Sequence, residues 1–365
     1  MSLRIGGMGW VTPLGSGVSE VWQRLVNGEG AVAETVASSL GERTFPVFRV
    51  PASALADAPA HPRLRRSSSI SRFAATAGLA ALKDAGVTSN SETAERTAVI
   101  FAISNGGVIY TKRFYHDVVE SGAQSASPLL FPETVFNAPA SHLAAILGIT
   151  GASYTLVGDG AVGVLALKMA EDLMANPMLD RCLVVGAEET DWLLCDAYHR
   201  WRLLSDAPPI EPFAAKPRGT ILSEGAGAVL IDRTGATRIE KIDAGCNFEH
   251  QRDAAKCVDL VFANLGATEC NAVIASANGT FIDRAESDAI AHHCAGAGIY
   301  APKAALGESV GASTLWQLIC AAQSLHTGEL PGRAATAESS PRANRALISA
   351  CGMNQQVAAL SIAPA

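Results

Sequence analysis

Val157-Gly158-Asp159-Gly160-Ala161-Val162-Gly163-Val164-Leu165-Ala166-Leu167-Lys168-Met169-Ala170-Glu171-Asp172-Leu173-Met174 is the stretch on which the fold turns. Its first residues are small and turn-forming, and from Ala161 onward the pattern is helical. Val162, Val164, Leu165, Leu167, Met169, Ala170, Leu173 and Met174 leave only a thin polar stripe at Lys168, Glu171 and Asp172. A surface helix carries one apolar stripe, whereas a helix apolar nearly all round is a buried one. A simple doubly wound sheet leaves each helix a wet side. Two sheets with the helix between them do not, so this stretch predicts a central helix sandwiched by sheets.

Four short apolar runs read as the strands: Thr97 to Ala102, Leu183 to Ala187, Ala272 to Ala277 and Ala346 to Ala350. Uninterrupted Val, Ile and Leu runs of this length suit sheets covered on both faces. Further helical patterns run from Ser71 to Ala85, Pro139 to Leu147, Arg284 to Ala297 and Ala312 to Leu325. Pro139 suits a first helical turn, where a missing N–H is no loss. Strands alternating with helices give an α/β layered class. Between Gly219 and Asp232, two apolar runs flank Glu224-Gly225-Ala226-Gly227, which reads as strands meeting at close backbone approach. The joint between two halves is expected at 232–238, dividing the chain into 1–235 and 236–365.

The 365 residues are 48% apolar and only 17% charged, and mean hydropathy is +0.20. That composition fills a large core and suits a protein that buries part of its outside against a partner. A net charge of −7 offers no footprint for nucleic acid. No apolar run reaches the roughly 18 residues that cross a bilayer. Met1 to Gly7 lacks the charged and apolar regions of a secretory leader, so a cytoplasmic protein is expected. The eight cysteines include no CxxC pair and several lie in apolar runs, so buried free thiols are expected and no metal is.

In collinear order these landmarks resemble the β-ketoacyl-acyl-carrier-protein synthases, a branch of the thiolase-fold condensing enzymes. Ile5-Gly6-Gly7-Met8-Gly9-Trp10-Val11-Thr12-Pro13-Leu14-Gly15 is similar to the family's opening strand and turn. Leu129 to Leu147, with Phe131, Phe136, Asn137 and Pro139 inside it, looks like the segment that forms its dimer-interface helix. Gly186-Ala187-Glu188 and Ser223-Glu224-Gly225-Ala226-Gly227 resemble two further signatures. The resemblance implies a thiolase-like fold, two pseudo-symmetric halves in a five-layer αβαβα sandwich, with no cofactor. It also implies three catalytic side chains: a cysteine nucleophile at the start of the buried helix, and two histidines that stabilise the enolate formed on decarboxylation.

All three have been replaced. The family's Thr-Ala-Cys-x-Ser-Gly places the cysteine at Gly160, with Gly163 matching the motif's glycine. The first histidine, from Ala-His-Gly-Thr, falls at Asn278 within Ala277-Asn278-Gly279-Thr280. The second, from Lys-x-x-x-Gly-His-x-x-Gly-Ala, falls at Glu308, while the lysine survives as Lys303. The family's Gly-Phe-Gly-Gly turn aligns with Cys351-Gly352-Met353-Asn354, where only Gly352 is kept.

Each candidate also has a structural reading. Asp159 is a substitute nucleophile or base, or an N-cap for the helix that follows. Glu308 and Lys303 are an acid–base pair, or an ion pair filling the old pocket. Asn278 holds a ligand or satisfies local backbone groups. Asp288 with His292 and His293 has metal-like spacing, or forms a solvated helix face. Arg63, Arg65, Arg66 and Ser67 to Ser69 contact an acyl carrier, or form a solvated loop.

The resemblance then implies a chain-length-factor-like partner of an active ketosynthase in fatty acid or polyketide biosynthesis, without condensing activity of its own. Phe131, Phe136, Asn137 and Met353 would serve its interface and acyl pocket, and the acyl carrier protein would be met indirectly. Two other readings stay open: a homodimeric acyl- or polyketide-binding protein, and an acyltransferase or hydrolase that uses Asp159 or Glu308.

Overall fold

The computed structural model describes residues 3–38, 43–88, 90–332 and 343–365. A ten-strand path runs Gly298–Tyr300, Ala272–Ile274, Ala346–Cys351, Gln356–Pro364, Thr237–Asn247, Arg4–Thr12, Gly225–Asp232, Arg181–Glu188, Thr97–Ile103, Ser153–Val157. It is one sheet order used twice. Among strands before Asp232, chain order in space is third, second, fourth, fifth, first, and the strands from Thr237 onward repeat it as the mirror sequence. The pairing senses repeat as well: second with third and fourth parallel, fourth with fifth and fifth with first antiparallel. The two sheets meet in a short seam, Arg4 opposite Arg238 and Ile5 opposite Thr237.

Side-chain alternation along these strands builds five layers, because successive residues point to opposite faces. Val99, Phe101, Ile103, Leu183 and Val185 face outward, onto the helices Ser69–Asp84 and Ala138–Leu147. Ala98, Ile100, Ala102, Cys182 and Val184 face inward, onto Val162–Leu173 and Ser313–Thr327. Ala272, Ile274, Ile348 and Leu360 close that central layer from the other side. Val273, Leu347 and Ala359 then pack outward on Ala254–Leu265 and Ile282–His293. Helices sheathe both sheets and two more lie between them. Among the described residues no helix is long and apolar enough to cross a membrane.

The more enclosed of the two central helices is not the one its sequence advertises. Every residue from Ser313 to Leu325 is buried, polar ones included. Several of these polar groups are hydrogen-bonded: Gln317 Nε2 donates to the carbonyls of Ile274 and Ser349, Trp316 Nε1 to that of Ala226, and Thr314 Oγ1 to that of Gly160, whereas Ser324 Oγ and Gln317 Oε1 have no partner among the described residues. A buried polar side chain is tolerated when it is bonded, so polarity disguised the helix. The two central helices touch at Gly163, where an added Cβ would lie 2.6 Å from Thr314 Cβ. Glycine is what permits this approach.

Three expectations shift in detail. The run Ala272 to Ala277 leaves the ladder after Ile274, which frees Ser276 and Asn278 to turn into the site. The helix expected to run to Ala297 ends at His293. Cys246 and Cys257 are not free thiols but are joined in a disulfide that ties the strand Thr237–Asn247 to the helix Ala254–Leu265. The other six cysteines are buried and free.

Candidate functional site

Gly160, Asn278, Lys303 and Glu308 come from four elements of both halves, and the start of the helix Ser313–Thr327 draws them together. Ser313 Oγ donates to Glu308 Oε1 (2.9 Å), while its neighbour Thr314 bonds the Gly160 carbonyl (2.8 Å). Lys303 Nζ lies 2.8 Å from Glu308 Oε2, and both side chains are only 2% exposed. Asn278 Nδ2 donates to the same oxygen at 2.7 Å, while Asn278 Oδ1 accepts from the Thr280 hydroxyl and backbone N–H. Lys303 also donates to Ser276 Oγ, which in turn accepts from the Cys351 N–H. The result is a closed, charge-balanced network. A buried ion pair is tolerated when hydrogen bonds replace those lost to water, and both charged groups here have such partners.

The space where a side chain would project from Gly160 is tight. A Cβ there would lie 3.2 Å from Gly352 Cα and 3.5 Å from the Cys351 carbonyl oxygen. Asp159 holds that loop down: its Oδ2 accepts from the N–H groups of Asn354 (2.8 Å) and Gln355 (3.2 Å). The N-cap expected of Asp159 is therefore incorrect. Ala161 occupies the cap position of the helix Val162–Leu173 without a side-chain bond, and the Asp159 carboxylate reaches across to the other half. Gly352 makes this possible, because any side chain on it would overlap that carboxylate.

Above this plug a cleft of about 680 Å³ opens between Asn105, Asp159, Tyr198, Trp201, Phe248 and Met353. Neither Gly160, Asn278, Lys303 nor Glu308 lines it, and no histidine does. Met353 reaches the cleft, whereas Phe131, Phe136 and Asn137 lie exposed outside it. Phe136 backs onto the turn at Gly106, immediately behind cleft residue Asn105. Of the Arg63 to Ser69 segment, Ser67 and Ser68 are buried, and Ser68 caps the helix Ser69–Asp84 by accepting from Ser71 N–H, so this part is no solvated loop.

The buried thiols are poor nucleophiles. Cys351, the thiol beside the plug, is fully buried and pushed well above its usual value by desolvation. Burial likewise pushes Cys182, Cys195 and Cys270 up to about 12. A thiol must ionise to attack, and these do not.

Two buried acids escaped the sequence reading. Burial pushes Glu286 up to about 7, and its Oε1 accepts from Ser276 N–H and from Ser349 Oγ. Glu189 is pushed up to about 8, first by burial and then by the neighbouring carboxylates of Glu224 and Glu188. Native Glu189 keeps its proton to about pH 8, whereas an unfolded glutamate releases it near its ordinary 4.5. Across that interval the native state binds more protons, so this residue makes stability fall as pH rises from about 5 to 8. Glu189→Gln should flatten that slope. Urea unfolding at pH 5 and pH 8 checks it, and an unchanged difference between the two pH values would count against a protonated Glu189.

The family model for the β-ketoacyl synthase N-terminal domain matches residues 2–236. The chain belongs to the β-ketoacyl synthase family. Nodulation protein E of a Rhizobium species (strain N33) is 24% identical over 92% of this chain and 89% of its own. The 3-oxoacyl-[acyl-carrier-protein] synthase 2 of Coxiella burnetii is 24% identical over 62% of this chain and 57% of its own. The solved ishigamide ketosynthase/chain length factor superimposes with a TM-score of 0.85 at 20% identity, covering 99% of this chain and 98% of the other. The thiolase-like fold of this β-ketoacyl synthase relative is thereby established.

Proposed function

We propose that this chain is a cytoplasmic, non-condensing partner subunit, comparable to a chain-length factor, of an active ketosynthase in fatty acid or polyketide biosynthesis. One observation carries the reading. Gly160, at the position that the family motif gives to the nucleophile, has no side chain and faces the Gly352 backbone closely, while Asn278 and Glu308, at the motif positions of the histidines, are bonded within the buried Lys303–Glu308–Asn278 network. Condensation needs a thiolate and cationic donors to the enolate, and the plugged centre offers neither. The fold has nonetheless kept its layers and an open cleft.

A partner is supported by the surface. The helix Val108–Ser121 buries none of its residues. It presents Tyr115 and Val119 beside exposed Leu129, Phe131 and Phe136, with the Phe114 ring tilted against Phe131 at 5.8 Å. The outermost strand Ser153–Val157 adds exposed Tyr154 and Val157, and its outer edge pairs with no strand among the described residues. Exposed apolar patches and open strand edges mark interaction surfaces. The ketosynthase/chain length factor likeness points to a second chain of the same fold as the occupant.

Co-expression with each ketosynthase of the same host tests this. The expected result is a stable complex with one of them, carrying condensing activity that this chain alone lacks. Homodimers only, in every combination, would sink the proposal. So would turnover of malonyl- or acyl-carrier substrates by the chain alone that is abolished in Asp159→Ala or Glu308→Ala, the outcome expected of an acyltransferase or hydrolase.

A further inference from the structure

The histidine pair at the end of the helix Ile282–His293 meets a carboxylate that its own sequence neighbourhood does not contain. Asp259, on the adjacent helix Ala254–Leu265, places Oδ1 2.7 Å from His293 Nε2 and 3.0 Å from His292 Nδ1. The two imidazoles lie side by side with ring centroids 4.3 Å apart, and His293 rests on the ring of Phe262. One ligand atom from each of the three residues falls within 4.8 Å of the others. Asp288, the partner that spacing alone suggested, is not part of the cluster.

We propose that Asp259, His292 and His293 form a binding site for a divalent transition-metal ion of the zinc class. Two imidazole nitrogens and one carboxylate oxygen are the donor set such ions take, whereas magnesium and calcium prefer all-oxygen sites. An ion bound at about 2.1 Å to each of three tetrahedral ligands holds them about 3.4 Å apart. The Asp259–histidine separations of 2.7 and 3.0 Å are shorter than that figure and all three donors lie within 4.8 Å of one another, so small side-chain rotations open the cluster around an ion. His293 is 12% exposed and anchored, while Asp259 and His292 are 52% and 71% exposed. The site therefore has one fixed ligand, two adaptable ones, and coordination positions that face solvent.

Its structural consequence is a clip between the two outer helices of the second half. The helix Ala254–Leu265 begins just past Phe248, Glu249 and Gln251, which form one wall of the cleft. A metal here would hold that wall from outside, on the same helix that the Cys246–Cys257 bond already tethers. The site is independent of whether the chain serves as a partner subunit.

The test is titration of the tag-free, EDTA-treated full chain with zinc chloride and, separately, cobalt chloride, followed by calorimetry, cobalt absorption and thermal melting. One equivalent should bind, with a rise in melting temperature. His292→Ala lies on the exposed face and should weaken binding at least about tenfold, as should Asp259→Asn, which keeps the side-chain shape. Absence of binding at millimolar metal would overturn the proposal. So would binding that persists unchanged in the His292→Ala/His293→Gln double variant, since the ion would then sit elsewhere.

Discussion

Glu308→Ala should lower the stability of this protein by about 3–5 kcal/mol, the range found when one member of a buried ion pair is removed. The argument is local and complete. Lys303 would lose its ion-pair partner at 2% exposure, and Asn278 and Ser313 would each lose the acceptor of a buried hydrogen bond. Water cannot readily replace the carboxylate, because the network lies beneath the cleft and not on its wall. The double variant Lys303→Met/Glu308→Leu removes both charges together and should recover most of the loss, since an apolar pair of similar volume often matches a buried salt bridge. Denaturant unfolding of the three proteins decides it. If Glu308→Ala unfolds at the wild-type midpoint, the network does not hold the centre together.

Much of this was legible in the chain itself. Val and Ile runs exposed the doubly covered strands, and the motif frames singled out Gly160, Asn278 and Glu308, which the fold brings near one another. Legibility failed where partners are distant in sequence. The cap reading of Asp159, one of two left open, needs only local residues, yet its donors lie 195 and 196 positions away. Cys246 and Cys257 are 11 residues apart, and only the turn between strand and helix brings their sulfurs together. Asp259 meets His292 and His293 through helix packing, which no single-helix spacing encodes. Ser276 was hidden in an apolar run, although a serine between Ala275 and Ala277 was the one visible hint of a polar terminus there. Glu189 followed a recognised Gly-Ala-Glu signature, but its burial depends on packing from elements remote in the sequence. Local physics wrote the elements, and the chemistry of the centre was settled by contacts between halves.

Gly160→Cys should produce a folded but weakened protein with no condensing activity. The new side chain would begin 3.2 Å from Gly352 Cα, tighter than nine in ten real Cβ contacts, with the sulfur still to be accommodated. The Gly352 loop must therefore retreat, which strains the two Asp159 hydrogen bonds to Asn354 and Gln355 that fix it. Overpacking of this kind is destabilising by about 1–3 kcal/mol. Chemistry would not return, because a thiol held against backbone and lacking a histidine has neither an activating base nor donors for the enolate. Gly352→Ala approaches the same contact from the opposite side: its methyl group would overlap the Asp159 carboxylate, and it should release the loop without adding a thiol. Both variants should then melt earlier than wild type, and Asp159→Ala combined with Gly352→Ala should lose less than the two single losses added, because residues in contact are not additive. Robust β-ketoacyl product from Gly160→Cys alone, with malonyl- and acyl-carrier substrates, would mean that the second-half histidines had been placed at the wrong positions and that the closed network at Glu308 is not the old catalytic centre.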